Sequence, residues 1–374
     1  MKKVFAIIIS LCLFSHLASI GSNLAWRGVV YDVGLRYNTI SVDSLDYKKV
    51  DYEMEVIANI LRCNTIRIEG ESLVRLEEAS RIADKHGLKI FFNPWKMGAD
   101  ENETIDYMTE AAIIAERLLN DGLDIVFVAG CEYSLFCKGV FPGESFDQRL
   151  QWLSSLNRMP DAMDIMKQKN EILNEIMSKV CKAVRIHFSG KVTYSSGTWE
   201  NINWEKFDII GIDYYRNGES DDQYLEGLHR YKGDKPLVVM EVGCCAYEGA
   251  YQRGSFGFGI LKGNDSDGNL IYEGGTPPVR SEKEQARYVA DQINLINQGG
   301  ADGMFVFVFK FPVYPYRDNG ADLDMTSYAL VKSFAPDDSR SLIFPGWVPK
   351  LAFYQVGISY SELADAETKY KVSF

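Results

Sequence analysis

The stretch that decides the fold is Pro236-Leu237-Val238-Val239-Met240-Glu241-Val242-Gly243. Its unbroken apolar and β-branched run is typical of a strand buried on both faces, the kind found in parallel sheets. An ionised carboxylate inside such a run is costly unless it is paired or has a chemical task. We therefore expect Glu241 to lie at the end of a buried strand, where it is paired or used.

A second stretch has the same design. Residues 124–132 form a hydrophobic run that passes through small residues and ends in Glu132. Two acids at the ends of two buried strands predict an active site with two carboxylates. The alternative is that each glutamate lies beyond its strand end, in solvent.

Strand-like and helix-like segments alternate along the whole chain. The predicted strands are 26–33, 64–69, 88–95, 124–132, 191–195, 207–214, 236–243 and 303–311. The predicted helices are 48–62, 72–86, 104–120, 146–157, 163–187, 222–231, 281–297 and 350–356. Eight βα units favour a closed (β/α)8 TIM barrel of the α/β class, here a single domain with an insertion after strand seven. An open doubly wound sheet is the alternative, but no glycine-rich phosphate loop follows any strand.

The N-terminus has the pattern of a secretory signal. Lys2 and Lys3 precede a short apolar run at residues 4–14, and small residues near Gly21 offer a cleavage site. We predict a signal peptide at 1–21 and a mature barrel at 22–374, secreted or periplasmic, with no stable membrane insertion after cleavage. An uncleaved signal anchor is the alternative.

Charge and cysteine usage exclude several classes of protein. The formal net charge is −12 without a Lys/Arg cluster, which argues against nucleic acid or an anionic membrane as the main partner. No CxxC pair exists, and the irregular cysteine spacing is not that of a disulfide framework. We predict neither a metal nor a cofactor. A metal or redox role for Cys244 and Cys245 with Cys131 is a minor alternative. A calcium loop near Asp265 is another, although a turn fits that segment better.

The catalytic groups are expected to be carboxylates. The histidines outside the signal segment fall near predicted helix ends, and neither HExxH nor a GxSxG after a strand is present. Glu132 and Glu241 belong to strands four and seven, which face each other across the mouth of a barrel. Two carboxyl groups roughly 5–5.5 Å apart suit double displacement at a sugar carbon.

These residues resemble the clan-A retaining glycoside hydrolases, with Arg67 in Asn64-Thr65-Ile66-Arg67-Ile68 as a third element. The resemblance implies that Glu132 is the acid/base and Glu241 the nucleophile. It also implies that Arg67 keeps the nucleophile ionised and that Tyr214 or Tyr215 hydrogen-bonds to it. The expected function is hydrolysis of a β-linked saccharide or glycoside, with a carbohydrate as the partner.

Longer strings resemble a bacterial family labelled "abortive infection protein". They are Val128-Ala129-Gly130-Cys131-Glu132 with Ser134-Leu135-Phe136, Glu241-Val242-Gly243-Cys244-Cys245, and Asp322-Leu323-Asp324-Met325-Thr326-Ser327-Tyr328. That label implies an effector in phage defence as an alternative function. The export signal argues against it, because such an effector should remain in the cytosol.

The sequence departs from the clan-A pattern at two positions. Cys131 stands where these enzymes commonly have asparagine, and a thiol is a poor hydrogen-bond partner for a sugar hydroxyl. The usual tryptophan at the end of strand eight is missing, and Phe307 and Phe309 offer apolar rings there. A non-catalytic carbohydrate-binding barrel is therefore a further alternative.

Four more residues are candidate ligand contacts. Trp95 and Trp199 are candidate stacking surfaces, and Asp32 and Asp213 are candidate carboxylates at the barrel rim.

Overall fold

A computed structural model describes residues 24–372 except 38, 267, 268, 319 and 320. The predicted signal peptide at 1–21 lies outside the described residues.

Eight parallel strands close into a barrel. The strands of the described chain are β1 (Trp26–Asp32), β2 (Thr65–Gly70), β3 (Lys89–Pro94), β4 (Ile125–Cys131), β5 (Lys191–Gly197), β6 (Ile210–Asp213), β7 (Leu237–Val242), β8 (Leu261–Asn264), β9 (Leu270–Tyr272), β10 (Gly303–Val306), β11 (Val331–Ser333) and β12 (Trp347–Pro349). The barrel order is β1-β2-β3-β4-β5-β6-β7-β10, and β10 pairs with β1 to close it. This confirms the predicted (β/α)8 architecture, whose eighth barrel strand is β10.

Helices follow the barrel strands on the outside. They are α1 (Tyr47–Asn59), α2 (Leu73–Lys85), α3 (Glu101–Asn120), α4 (Tyr133–Phe136), α5 (Phe146–Ser155), α6 (Ala162–His187), α7 (Asp221–His229), α8 (Glu282–Gln298) and α9 (Leu351–Val372). Side-chain hydrogen bonds to the backbone cap the N-termini of several of these helices. In α3, the Asp100 side chain accepts from the backbone N–H of Glu103, whose side chain accepts in return from the N–H of Asp100.

Strand alternation divides the apolar residues into two cores. Outward-facing side chains pack against the helices, while Val30, Phe91, Val128, Met240 and Phe305 fill the barrel interior. Polar inward-facing residues follow at the carboxyl ends of the strands. The apolar filling makes the barrel a packed core, so a ligand has access only at its mouth.

One-residue bulges interrupt the two strands that end in the predicted catalytic acids. Between Val128 and Cys131, β4 has one residue more than its partner β5. In β7, the register against both β6 and β10 also shifts by one residue near Glu241. A bulge breaks the alternation and re-aims the side chain that follows, as is common beside active sites.

The insertion predicted after strand seven contains the β8–β9 hairpin. The Asp265 side chain accepts from the backbone N–H of Asn269 at 2.8 Å. The eighth barrel strand ends at Val306 rather than at the predicted 311, and the peptide bond between Phe307 and Val308 is cis.

The quoted segment 322–328 is held by ion pairs. Arg280 contacts Asp322 at 2.6 Å and Asp324 at 2.8 Å, and Lys350 lies 3.2 Å from Asp324. These pairs tie the loop after β10 to the segments just before α8 and α9. None of the helices in the described part of the chain has the length and apolar character needed to cross a membrane.

Candidate active site

A polar layer covers the apolar interior at the carboxyl end of the barrel. Its buried inward-facing side chains are Asp32, Arg67, Glu69, Asn93, Cys131, Ser195, Asp213 and Glu241. Glu132 lies at the same end, directly after β4. The layer thus combines five carboxyl groups with one guanidinium.

Glu241 is held by donors from three other strands or loops. Arg67 Nη1 lies 3.0 Å from Oε1, and the Tyr215 hydroxyl donates to Oε2 at 3.0 Å. The Cys131 thiol lies 3.6 Å from Oε1. Arg67 is itself oriented, because its Nε donates to Asn93 Oδ1 at 2.8 Å. Charge-assisted hydrogen bonds of this kind stabilise the ionised carboxylate.

The two tyrosines after β6 face opposite directions. Tyr215 contacts Glu241, whereas the Tyr214 hydroxyl donates to the carbonyl of Tyr224 at 3.3 Å and its ring packs on Tyr224 and Tyr231. The structure therefore does not bring the candidate Tyr214 to Glu241. Consecutive residues of an extended segment point to opposite sides, so only one of the pair reaches the barrel mouth.

Glu132 has a different environment. Its backbone is left-handed, with φ 41° and ψ 47°, and its N–H donates to the carbonyl of Ser195 at 2.8 Å. Its carboxyl group has no hydrogen-bond partner among the residues that the structure describes. Loss of water raises the pKa of Glu132 well above its usual range, and the charges of Asp213 and Glu241 act in the same direction. A protonated carboxyl group at neutral pH is what a general acid requires.

Asp213 lies between the two glutamates and belongs to the site. Ser195 Oγ donates to its Oδ1 at 2.6 Å, and the Cys131 thiol lies 3.6 Å from its Oδ2. Burial raises the pKa of Asp213 well above the usual range, and the charge of Glu241 adds to the effect. Burial also raises the pKa of the Cys131 thiol, so the sulfur is present as a neutral thiol.

One set of potential metal ligands occurs in the described part of the chain. Ligand atoms of Cys131, Asp213 and Glu241 all lie within 4.8 Å of one another. Arg67 lies 3.0 Å from Glu241 and 3.9 Å from Asp213, so a guanidinium already provides the positive charge there. The alternative set of Cys131 with Cys244 and Cys245 is not brought together; Cys245 instead donates to the carbonyl of Thr326. All six described cysteines are free.

Both candidate tryptophans lie near Glu132. Trp95 is buried beside Cys131, and its ring meets the edge of Phe136 at 4.8 Å. Trp199 is half-buried, and its indole nitrogen donates to Ser134 Oγ at 3.1 Å. Both therefore pack around the short helix α4, which starts next to Glu132.

Glu200 is a site-supporting residue that the sequence analysis missed. Its carboxylate accepts from the backbone N–H of Ser134 at 3.0 Å and from the Tyr194 hydroxyl at 2.9 Å. That hydroxyl in turn accepts from the N–H of Tyr133 at 2.6 Å. The only signal in the sequence is a lone acid shortly after strand five.

The structure also does not bring the candidate Phe309 to the barrel mouth. It is fully buried outside the barrel, where it packs on Tyr31 and Trp347. The ring of Tyr328 lies beside Tyr215, at 5.9 Å between centroids, and Phe307 packs on the Tyr328 ring at 6.1 Å. Tyr328 belongs to the quoted segment 322–328 but was not a candidate.

The first two barrel strands add a pair of carboxyl groups. Asp32, a candidate from the sequence, and Glu69, which was missed, are register partners at the ends of β1 and β2. Glu69 Oε2 lies 3.3 Å from Arg67 Nη2. The spacing of two residues between Arg67 and Glu69 is the signal that could have placed both inside the barrel.

Comparison with solved structures finds this barrel in glycoside hydrolases of low sequence identity. A GH113 β-1,4-mannanase matches with a TM-score of 0.54 and 15% identity, covering 90% of this chain and 98% of its own. A GH113 β-mannanase from Alicyclobacillus acidocaldarius has a TM-score of 0.54 and 16% identity, covering 92% of this chain and 99% of its own. A β-glucuronidase from Parabacteroides merdae has a TM-score of 0.52 and 11% identity, covering 90% of this chain but 36% of its own.

At these identities the likeness establishes the barrel fold. No family model matches the sequence, and no curated protein matches it either. The comparisons give no support to the resemblance to the family labelled "abortive infection protein".

Proposed function

We propose that the protein is a retaining glycoside hydrolase that acts on a β-linked saccharide or glycoside. The observation that carries the proposal is that two acids at the same barrel mouth have different environments. Glu241 receives hydrogen bonds from Arg67 and Tyr215, while burial raises the pKa of Glu132. One acid is thus suited to attack as an anion and the other to donate a proton.

The first step forms a glycosyl ester. Glu241 attacks the anomeric carbon while Glu132 gives its proton to the glycosidic oxygen, so that the bond to the leaving group breaks. In the second step, Glu132, now a carboxylate, takes a proton from the water that attacks the same carbon. The ester bond breaks, Glu241 leaves as a carboxylate, and the configuration of the sugar is retained.

Arg67 and Tyr215 prepare the nucleophile. Because they bind different oxygens of Glu241, they restrict the rotation of its carboxylate as well as stabilising its charge. The likeness to barrel proteins whose names are β-mannanase and β-glucuronidase supports β-linked substrates as a class.

A non-catalytic carbohydrate-binding barrel is the second candidate, favoured by Cys131. Its thiol faces Asp213 and Glu241, a position at which an amide would bind a sugar hydroxyl more strongly. The retention of both glutamates and of the Arg67 contact favours the enzyme.

Covalent trapping separates the two candidates. A panel of 2-deoxy-2-fluoro glycosides with activated leaving groups is incubated with the protein and read by intact mass, followed by peptide mapping. We expect one added sugar, attached to Glu241. Labelling should be lost in Glu241→Gln and retained in Glu78→Gln, a change at an exposed glutamate of α2. The absence of a label with every sugar would favour the binding barrel.

Export is part of the proposal. The apolar segment at 4–14 supports a cleaved signal peptide and a secreted or periplasmic enzyme. N-terminal sequencing of protein recovered from the exported fraction should find a start near Ser22. An intact Met1 in a membrane fraction would favour the anchor alternative.

A further inference from the structure

The pair Asp32 and Glu69 is not used by the mechanism above. Both side chains point into the barrel mouth from neighbouring strands, and each is 1% exposed. Asp32 Oδ1 accepts from the backbone N–H of Gly34 at 2.6 Å. Asp32 Oδ2 and Glu69 Oε2 are buried and have no hydrogen-bond partner among the described residues.

Of the nearby bases, Arg67 forms an ion pair with Glu69, and Lys310 and Arg75 bind other groups. Arg67 is 3.3 Å from Glu69 without hydrogen-bond geometry, and it also serves Glu241 and Asp213. Lys310 points outward and pairs with Glu53. Arg75 donates to backbone carbonyls of the loop that follows β1.

The energetics of the pair favour a bound cation. Burial raises the pKa of Asp32 to about 6 and that of Glu69 well above its usual range. Two buried carboxyl groups on adjacent strands repel each other when both are ionised. A positively charged group between them would offset both the repulsion and the loss of water.

The pair also has the right place relative to the reacting carbon. Going round the barrel from β7 to β4, the shorter path crosses β6 and β5, which present Asp213 and Ser195. The longer path crosses β10, β1, β2 and β3, with Asp32 and Glu69 in its middle. A sugar ring that has its anomeric carbon between Glu132 and Glu241 and extends along the longer path directs its remote carbons towards the pair.

We infer that Asp32 and Glu69 bind a primary ammonium group on the glycone, so that the substrate is a glycoside of an amino sugar. The inference rests on the proposed hydrolase function. An ammonium has three donors and no acceptor. It therefore fits two carboxylate oxygens that accept no hydrogen bond, of which only Glu69 Oε2 has an ion pair, better than a hydroxyl, which also requires a donor. The net charge of −12 favours the approach of a cationic saccharide.

The test compares matched β-glycosides near neutral pH. The ligands are a neutral sugar, its analogues with one hydroxyl replaced by a free amine, and the N-acetylated form of each amine. Calorimetry with methyl glycosides measures binding, and aryl glycosides measure hydrolysis. We expect one amine to bind about tenfold or more tightly than the neutral sugar, and N-acetylation to abolish the gain.

Isosteric variants identify the residues responsible. Asp32→Asn and Glu69→Gln should each lower the ratio of amine to neutral affinity by about tenfold, while Asp84→Asn, at an exposed position of α2, should leave that ratio unchanged. A neutral sugar that binds as tightly as every amine in the parent overturns the inference, as does a ratio that neither variant changes. If amines bind selectively but no aryl glycoside is hydrolysed, the ammonium-binding role of Asp32 and Glu69 stands, and the proposed hydrolase function fails.

Discussion

The ends of β4 and β7 carry the two acids of the candidate site. The two carboxyl groups differ in their hydrogen-bond partners and in the backbone that positions them. Both strands contain a one-residue bulge immediately before the glutamate. Near the end of β7, Glu241 is bound by Arg67 and Tyr215. After β4, the carboxyl group of Glu132 has no such partner in the described part of the chain, and its backbone is left-handed. Similar strand ends thus give one carboxyl group that is bound by two donors and one whose pKa is raised by burial.

The two acids also differ in the part of the residue that the surrounding protein holds in place. Glu241 is controlled at its carboxylate, by donors that favour the charge. Glu132 is controlled through its backbone, which is held by Ser195 and by the Glu200 network around α4. A left-handed non-glycine residue costs roughly 1–2 kcal/mol, and this arrangement offsets that cost.

The largest expected effect comes from removing each acid in turn. Glu241→Ala should lose on the order of 10⁴-fold in turnover with every substrate, because the covalent route is gone. Glu132→Ala should retain glycosylation by an activated aryl glycoside but slow the second step. Product analysis with added azide tests this: we expect a β-glycosyl azide from Glu132→Ala and an α-product from Glu241→Ala. The reverse pattern would show that the two roles are exchanged.

Tyr214 and Tyr215 provide a matched pair of variants that tests the hydrogen bond from Tyr215 to Glu241. Tyr215→Phe removes one donor to the carboxylate, while Tyr214→Phe removes a hydroxyl that serves the carbonyl of Tyr224. We expect Tyr215→Phe to lower kcat/KM by roughly 10- to 100-fold, the usual range for a hydrogen bond to a charged group, with little change for Tyr214→Phe. Equal losses in both variants would contradict a direct role for Tyr215.

The pH dependence of kcat/KM tests whether Glu132 acts as the general acid, and the expected effect is the smallest of the three. Glu132 must be protonated to act as an acid, and its pKa is raised. Activity with a poor leaving group should therefore persist above the usual titration range of glutamate. It should then fall about tenfold per pH unit once the pH exceeds the raised pKa. Glu132→Ala should lose this alkaline limb with an activated substrate, and an unchanged limb would assign it to another group.

Local sequence determined the barrel and most of the acids. Apolar β-branched runs followed by amphipathic helices specify buried parallel strands wherever they occur, so eight such units predict closure. An acid at the end of such a run is costly to bury unless it belongs to a functional site or forms an ion pair. For this reason Glu132 and Glu241 could be selected as candidates from the sequence. Arg67 could be identified only through the resemblance to a known pattern.

The tertiary structure alone decided how these groups meet. Arg67 and Glu241 are 174 residues apart in sequence, so no local pattern encodes their 3.0 Å contact. The register after a strand end separates Tyr215 from Tyr214 and sends Phe309 outward, because a single-residue shift reverses the face of every following side chain. Glu69 was overlooked for a related reason. A polar residue within a strand normally faces water, but a residue that faces the barrel interior stays buried whatever its polarity.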